Sequence, residues 1–251
     1  PENEIQYATS RIRIRIFPGS YLICGYSVDF ASRMYVNGKL LFEAGVPGDS
    51  RETTVPGVKY YQLPVSPDAD GEIVIVQQAS NFTHKDGGTH GTLYIGMPEW
   101  INRYTFRNLW PEVILMGCYL VLFLVHFILY LMMKGYKANL LFALFCLTWF
   151  LRTGVTGQRI LDSVLPGLPW TTVFRLEYLT MPLSGILLVW LLYLLFPGVL
   201  PKWFPPAASL ACAGFAGIDL FGSTLLISYT AVWRIVLLAG IALYFFIRLF
   251  L

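Results

Sequence analysis

The chain of 251 residues is 56% hydrophobic and only 13% charged, with a mean hydropathy of +0.59. A soluble globular domain carries roughly 25% charged residues, so an ordinary soluble domain is excluded, and so is a disordered or collagen-like chain. A net charge of +3 is too mild to argue for nucleic acid and no basic block supports it, so no nucleic-acid partner is expected. The average hides a split near Asn108. Residues 1–107 hold 10 Lys/Arg and 11 Asp/Glu, whereas residues 108–251 hold 8 and 4. The first part has the polarity of a water-soluble domain and the second that of a membrane bundle. The sequence opens at Pro1 without a signal peptide and stops at Leu251 within an apolar run, as expected for the middle of a longer chain.

In chain order, Arg11 to Ile16 alternates Arg and Ile, which sets three Ile on a core face and three Arg in water. Ser32–Val36 and Lys39–Phe42 flank Asn37-Gly38, the strongest short-range hairpin signal because both turn residues tolerate positive φ. A turn at Pro67–Gly71 precedes a strand over Glu72–Gln78, and Thr92–Gly96 forms another. No helical period is evident before Asn108. Short strands separated by Gly/Pro turns predict an all-β sandwich of jelly-roll type over residues 1–107. Trp100, Arg103 and Tyr104 are expected to anchor the chain at the membrane interface.

Beyond Asn108 the apolar runs predict an α-helical transmembrane bundle with five spans, at about 110–133, 138–155, 172–196, 205–225 and 229–251. The division between the last two, around Gly222 and Ser223, is the least distinct. Lys134, Lys137, Lys202 and Arg248 fall on one side under alternation, which predicts that side to be cytoplasmic and the N-terminal domain extracytoplasmic. Ionisable residues in lipid are costly and face a bundle interior or a partner. Arg152, Glu177, Asp219 and Arg234 are therefore the expected transmembrane coupling or helix-packing residues, with Arg152 paired to Asp219 or Glu177. His126, in mid-helix, is expected to be a hydrogen-bonded structural residue. The small residues Ala211, Ala213, Gly214, Ala216 and Gly217 suggest close helix packing. Four cysteines with no CxxC spacing read as buried small hydrophobes, with neither disulfide nor zinc.

Ser32 to Leu41 followed by Ala44-Gly45 resembles the hairpin of galactose-binding-like jelly rolls. Ile73–Val76 leading to Ser80-Asn81-Phe82-Thr83-His84 and Gly87-Gly88 resembles their later strand and loop. Joined by Gly96-Met97-Pro98-Glu99 to a first span with Tyr119-Leu120-Val121 and a loop at Lys134-Gly135-Tyr136, the arrangement resembles the bacterial seven-transmembrane receptors with diverse intracellular signalling modules. That resemblance implies a periplasmic sensor of a sugar-like ligand in the inner membrane. It also implies a cytoplasmic output module of histidine kinase or diguanylate cyclase type, with no catalysis and no cofactor in this chain. The partners expected are the lipid bilayer, a small extracytoplasmic ligand and a second copy in a homodimer. Carbohydrate sites pair aromatic faces with planar polar groups, so the ligand-binding candidates are Tyr60, Tyr61, Asn81, Phe82, His84, Asp86 and His90. By strand alternation one of Tyr60 and Tyr61 faces the core, and Asn81 also suits a loop cap. The spacing of His84, Asp86 and His90 matches no standard metal site. The competing readings are a membrane enzyme or transporter with an accessory carbohydrate-binding domain, and a cell-envelope anchor.

Overall fold

A computed structural model describes residues 6–85, 92–133, 135–165 and 167–250. The chain divides into two compact units, Pro1–Asn108 and Leu109–Leu251.

The first unit is an antiparallel sheet curled into a half-barrel. Its strands are β1 (Tyr7–Arg15), β2 (Tyr21–Val36), β3 (Lys39–Ala44), β4 (Gly57–Val65), β5 (Glu72–Ser80) and β6 (Tyr94–Gly96). β2 is the spine. Its second half lies between β5 and β3, while its first half pairs with β4 and β6, and β1 forms the edge beyond β5. The two halves meet at an irregularity between Ser27 and Phe30, where Asp29 takes φ 62°. A bulge of this kind bends a strand and increases its twist, which allows one long strand to serve both layers. Asn37 (φ 48°) and Gly38 (φ 80°) make the hairpin turn between β2 and β3, as their residue types require. The Asn37 side chain also accepts from the Val74 amide at 2.8 Å and ties the turn to β5.

The enclosed face carries the core: Ile23, Met34, Val36, Phe42, Tyr61, Ile73 and Ile75 are all buried. Ile14 and Ile16 pack against it, whereas Ile12 near the open edge is half exposed. The alternation over residues 11–16 therefore sets two of its three Ile against the core, with the Arg side chains exposed.

Helix α1 (Pro98–Met132) starts earlier than the expected span at 110. Pro98 in the first turn and Glu99 beside it are helix-start chemistry, but polarity up to Asn108 concealed them. Within the first unit these turns lie on the sheet. Ile101 is fully buried, Asn102 accepts from Gln62 at 2.6 Å, and the Tyr60 and Thr105 hydroxyls are 3.1 Å apart. Trp100 stacks on Tyr104, whose ring also meets Tyr94 at 4.7 Å. Trp100 and Tyr104 thus form part of this packing, beyond the anchoring role expected of them.

The second unit continues α1 and adds α2 (Lys137–Val155), α3 (Ile160–Val164), α4 (Trp170–Leu195), α5 (Phe204–Phe221), α6 (Thr224–Tyr229) and α7 (Ala231–Phe250). Among the described residues, five of these helices (α1, α2, α4, α5 and α7) are long and apolar enough to cross a membrane. The chain has the make-up of a multi-pass membrane protein. The indistinct stretch between the last two spans is the short helix α6, started by Ser223, whose hydroxyl accepts from the Leu226 amide at 3.3 Å. Thr148, Thr180, Ser184, Ser228 and Thr230 donate their hydroxyls to main-chain carbonyls three or four residues back, so none needs water. His126 lies 3.3 Å from Asn139 and edge-on to Phe142, a contact between α1 and α2. Close helix approach occurs at Gly185 of α4, where a Cβ would strike Leu238 and come within 3.0 Å of the Cys212 sulfur. The expected packing surface on α5 is different: a Cβ at Gly214 or Gly217 would meet nothing within 4 Å. That part of α5 turns away from the neighbours to which Ala208 and Cys212 are buried. All four thiols are free, and Cys118 lies exposed on α1 rather than buried as expected, because α1 is the least enclosed of the long helices.

The Tyr61 ring packs 4.4 Å from Phe42, and burial, with a smaller contribution from Cys24, pushes its phenol up to about 12. An unfolded tyrosine ionises near pH 10. Between those values the unfolded chain loses a proton that the folded core keeps. Stability is therefore complete below pH 10 and falls as the pH rises toward 12, by roughly 2–3 kcal/mol. Alkaline unfolding of the detergent-solubilised chain should show this slope, and Tyr61→Phe should reduce it by that amount, leaving the smaller contributions of groups such as Tyr60.

Candidate functional site

The segment between β3 and β4 is rich in Gly, Ser, Thr and Asp, whose side chains bond to nearby main chain. Gly45 (φ 67°) starts it, at a point where a Cβ would collide with the Val55 carbonyl. Val46 and Val55 then form a bridge through hydrogen bonds of 2.8 and 2.9 Å. At the tip the Ser50 amide donates to the Thr53 hydroxyl at 3.2 Å, and that hydroxyl lies 3.3 Å from the Asp49 carboxylate. The loop is fastened to β5 through Ser80, which is 1% exposed. Its hydroxyl accepts from the Gly48 amide at 3.1 Å and from Thr54 at 3.3 Å.

This fastened loop closes one side of an open cavity of about 480 Å³. Tyr7, Ala8 and Thr9 of β1 and Gln78 and Ala79 of β5 form its other walls. The size lies within the usual range for a small-molecule site. Tyr7 offers an exposed ring, Gln78 a planar amide, Thr9 and Thr53 hydroxyls, and Asp49 a carboxylate with further capacity to accept. An aromatic face beside planar polar groups is the chemistry that suits a polyhydroxylated ligand.

None of the residues singled out from the sequence lines this cavity. Tyr61 is in the core. Tyr60 is half-buried, with its ring 4.9 Å from Tyr26 and its hydroxyl at Thr105, and burial raises its phenol above the usual value. Asn81, 1% exposed, caps the following loop: its carbonyl accepts from the Thr83 and His84 amides at 3.3 and 3.1 Å. Phe82 and His84 are half-buried in that loop, and Asp86 and His90 lie outside the described residues. Tyr7 and Gln78 carried no signal of their own, because the cavity arises only where β1 meets β5 under a distant loop.

The charged residues of the second unit collect toward one end of the bundle. Arg234 of α7 is 1% exposed and Asp219 of α5 fully buried. Arg234 donates through Nη2 to one carboxylate oxygen of Asp219 and through Nε to the other, the latter at 3.3 Å. It also donates to the Ile227 carbonyl at 2.9 Å and lies 5.4 Å from the rings of both Tyr178 and Phe215. Arg175 caps the end of α5, donating to the carbonyls of Asp219, Leu220 and Gly222 at 2.6, 2.7 and 2.9 Å. Arg152 reaches α4 through the Glu177 carbonyl at 2.8 Å and the Thr180 hydroxyl at 3.3 Å, while Arg159 pairs with the Glu177 carboxylate at 2.9 Å. Arg152 is thus in contact with Glu177, through its main chain, and Asp219 is held by Arg234 rather than by Arg152. Arg159, Arg175 and Glu112 join them. Glu112 of α1 accepts from the Gln158 amide at 2.8 Å, seated over Gly157 (φ 57°), where a Cβ would collide with that carboxylate. Arg248 at the other end of α7 donates to the Val199 carbonyl at 3.2 Å, on the same side of the bundle as Lys202.

No protein-family model matches the chain, and no curated protein of similar sequence was found.

Removing one partner of a buried pair leaves an uncompensated charge and costs about 3–5 kcal/mol, whereas replacing both with apolar groups is close to neutral. Arg234→Met should accordingly lower the thermal stability of the detergent-solubilised chain sharply. Arg234→Met with Asp219→Leu should recover most of the loss.

Proposed function

We propose that the chain is the sensing portion of a membrane receptor of the seven-transmembrane type it resembles. The half-barrel takes a small carbohydrate-like ligand in the cavity beneath the Val46–Val55 loop. The bundle relays that event to a cytoplasmic output module of histidine kinase or diguanylate cyclase type, on a further segment or a separate protein. The observation that carries this reading is the cavity itself: an exposed tyrosine beside an amide, hydroxyls and a carboxylate, in the unit that carries the polar half of the chain. In this reading the chain senses and does not catalyse. It works as a homodimer in the inner membrane, with the half-barrel on the periplasmic side and Lys137, Lys202 and Arg248 on the cytoplasmic side. A ligand shifts such a receptor only by its difference in affinity for the two states.

The test is binding of the whole chain, reconstituted in lipid nanodiscs, to an array of defined oligosaccharides. A bound glycan should lose about tenfold or more in affinity with Tyr7→Ala and with Asp49→Ala. The Tyr60→Phe variant, altered away from the cavity, should bind as before. Binding indifferent to Tyr7 and Asp49 would overturn the assignment of the site.

A further inference from the structure

The register of β1 against β5 is unbroken from Tyr7 opposite Ser80 to Arg15 opposite Glu72. Alternate residues of β1 therefore share a face, and Tyr7 and Thr9 of the cavity lie in one row with Arg11, Arg13 and Arg15. Successive members of the row are about 6.8 Å apart, so the three arginines cover about 14 Å of the strand from Arg11 to Arg15. All three are exposed. Arg13 meets Glu72 at 3.4 Å with 58% of its side chain in water, so the row presents three arginines against this one carboxylate. Arg11 and Arg15 have no ion-pair partner among the described residues. Val76 and Val74, opposite Arg11 and Arg13, provide a half-buried aliphatic floor beside the guanidinium groups.

We propose that this face binds an acidic oligosaccharide, with a neutral unit in the cavity and carboxylate- or sulfate-bearing units along the arginine row. The inference rests on the cavity being a ligand site and adds the ligand's class and direction. Guanidinium groups recognise such anions through paired charge-assisted hydrogen bonds. Asp49 repels an anion at the cavity end and accepts hydroxyls there instead, whereas the single carboxylate at the far end, Glu72, is outnumbered by Arg11, Arg13 and Arg15, so the track still has a polarity that a simple basic patch lacks. A membrane surface would use the arginines but has no need of a cavity continuous with them.

The experiment measures affinity of the whole chain, in nanodiscs of zwitterionic lipid, for a hexamer of galacturonic acid and for the neutral hexamer of galactose. The acidic hexamer should bind at least tenfold tighter at low salt, with the preference collapsing near 1 M salt, where screening extends to about 3 Å. Arg11→Gln with Arg15→Gln should weaken the acidic hexamer about tenfold and leave the neutral one within about twofold, the loss expected for one or two charge-assisted contacts. An unchanged thermal midpoint will show that this variant is folded. Equal binding of the two hexamers, or indifference of the acidic one to the arginine variant, overturns the proposal. If the neutral hexamer still depends on Tyr7, the cavity reading survives that failure. Displacement of the acidic hexamer by phosphatidylglycerol vesicles at matched charge would assign the row to lipid and overturn it also. Binding of neither hexamer overturns the acidic-glycan assignment, and Tyr7-independent binding of both overturns the cavity as well.

Discussion

The buried pair of Arg234 and Asp219 is the interaction on which the membrane unit depends. An isolated charge in that setting is costly, so each partner requires the other. Arg234 fulfils the requirement while touching four helices: the Asp219 carboxylate and Phe215 ring on α5, the Ile227 carbonyl on α6, the Tyr178 ring on α4, and its own α7. Arg175 then attaches α4 to the end of α5 through three carbonyls. These are the groups that a helix end leaves without partners, and a membrane offers no water to satisfy them. One pair and one cap thereby define where α5 stops, how α6 turns and where α7 starts.

The water-exposed unit meets a different constraint. A strand of 16 residues cannot remain flat while serving two layers, and β2 resolves this with the irregularity at Ser27–Phe30. The bend brings β3 and β4 to the same side of β2, so that Gly45 and Gly57 must approach more closely than any side chain would allow. The loop between them is directed by that contact toward Ser80. The cavity is therefore a consequence of how the sheet curls, and its polar lining comes from a loop that had to be short-ranged and self-bonded.

Legibility followed the range of the interactions. Period-two alternation in β1, the Asn37-Gly38 turn and the apolar runs of the five long helices are local patterns, and each is present where the residues indicated. The first half of β2 was missed because Tyr21–Phe30 includes Gly25, whose role is to admit the Tyr61 ring from β4 and which weakens a strand signal read alone. The start of α1 was missed because its buried face, centred on Ile101, is narrow, and the sheet rather than lipid covers it. In the bundle the charged residues could be recognised as a group by their cost in lipid. Their pairing could not, since Arg152 and Arg234 are equivalent until helix contacts distinguish them. The cavity residues were the least legible: Tyr7, Asp49 and Gln78 lie far apart in the chain and belong to no motif.

The same connectivity limits how a ligand on β1 and β5 could be felt elsewhere in the first unit. Among the described strands β1 pairs with β5 alone, and β5 pairs otherwise with the second half of β2, while Ser80 at its end holds the loop between β3 and β4. The first turns of α1 are held by β4 and β6, through Gln62, Tyr60 and the ring of Tyr94, and both strands bond to the first half of β2. A displacement starting at the cavity has two ways to reach α1: through the loop fastened at Ser80, which leads directly into β4, or through β2 across the Ser27–Phe30 irregularity. Asp29 there holds a left-handed backbone that favours glycine, and the Thr83 hydroxyl donates to its carbonyl at 3.2 Å, from the loop that follows β5. A strained residue, bonded to the segment that follows β5, sits where β2 passes from one layer to the other. The bend of β2 and the loop fastened at Ser80 are thus the two places where the strands that line the cavity meet the strands that hold α1.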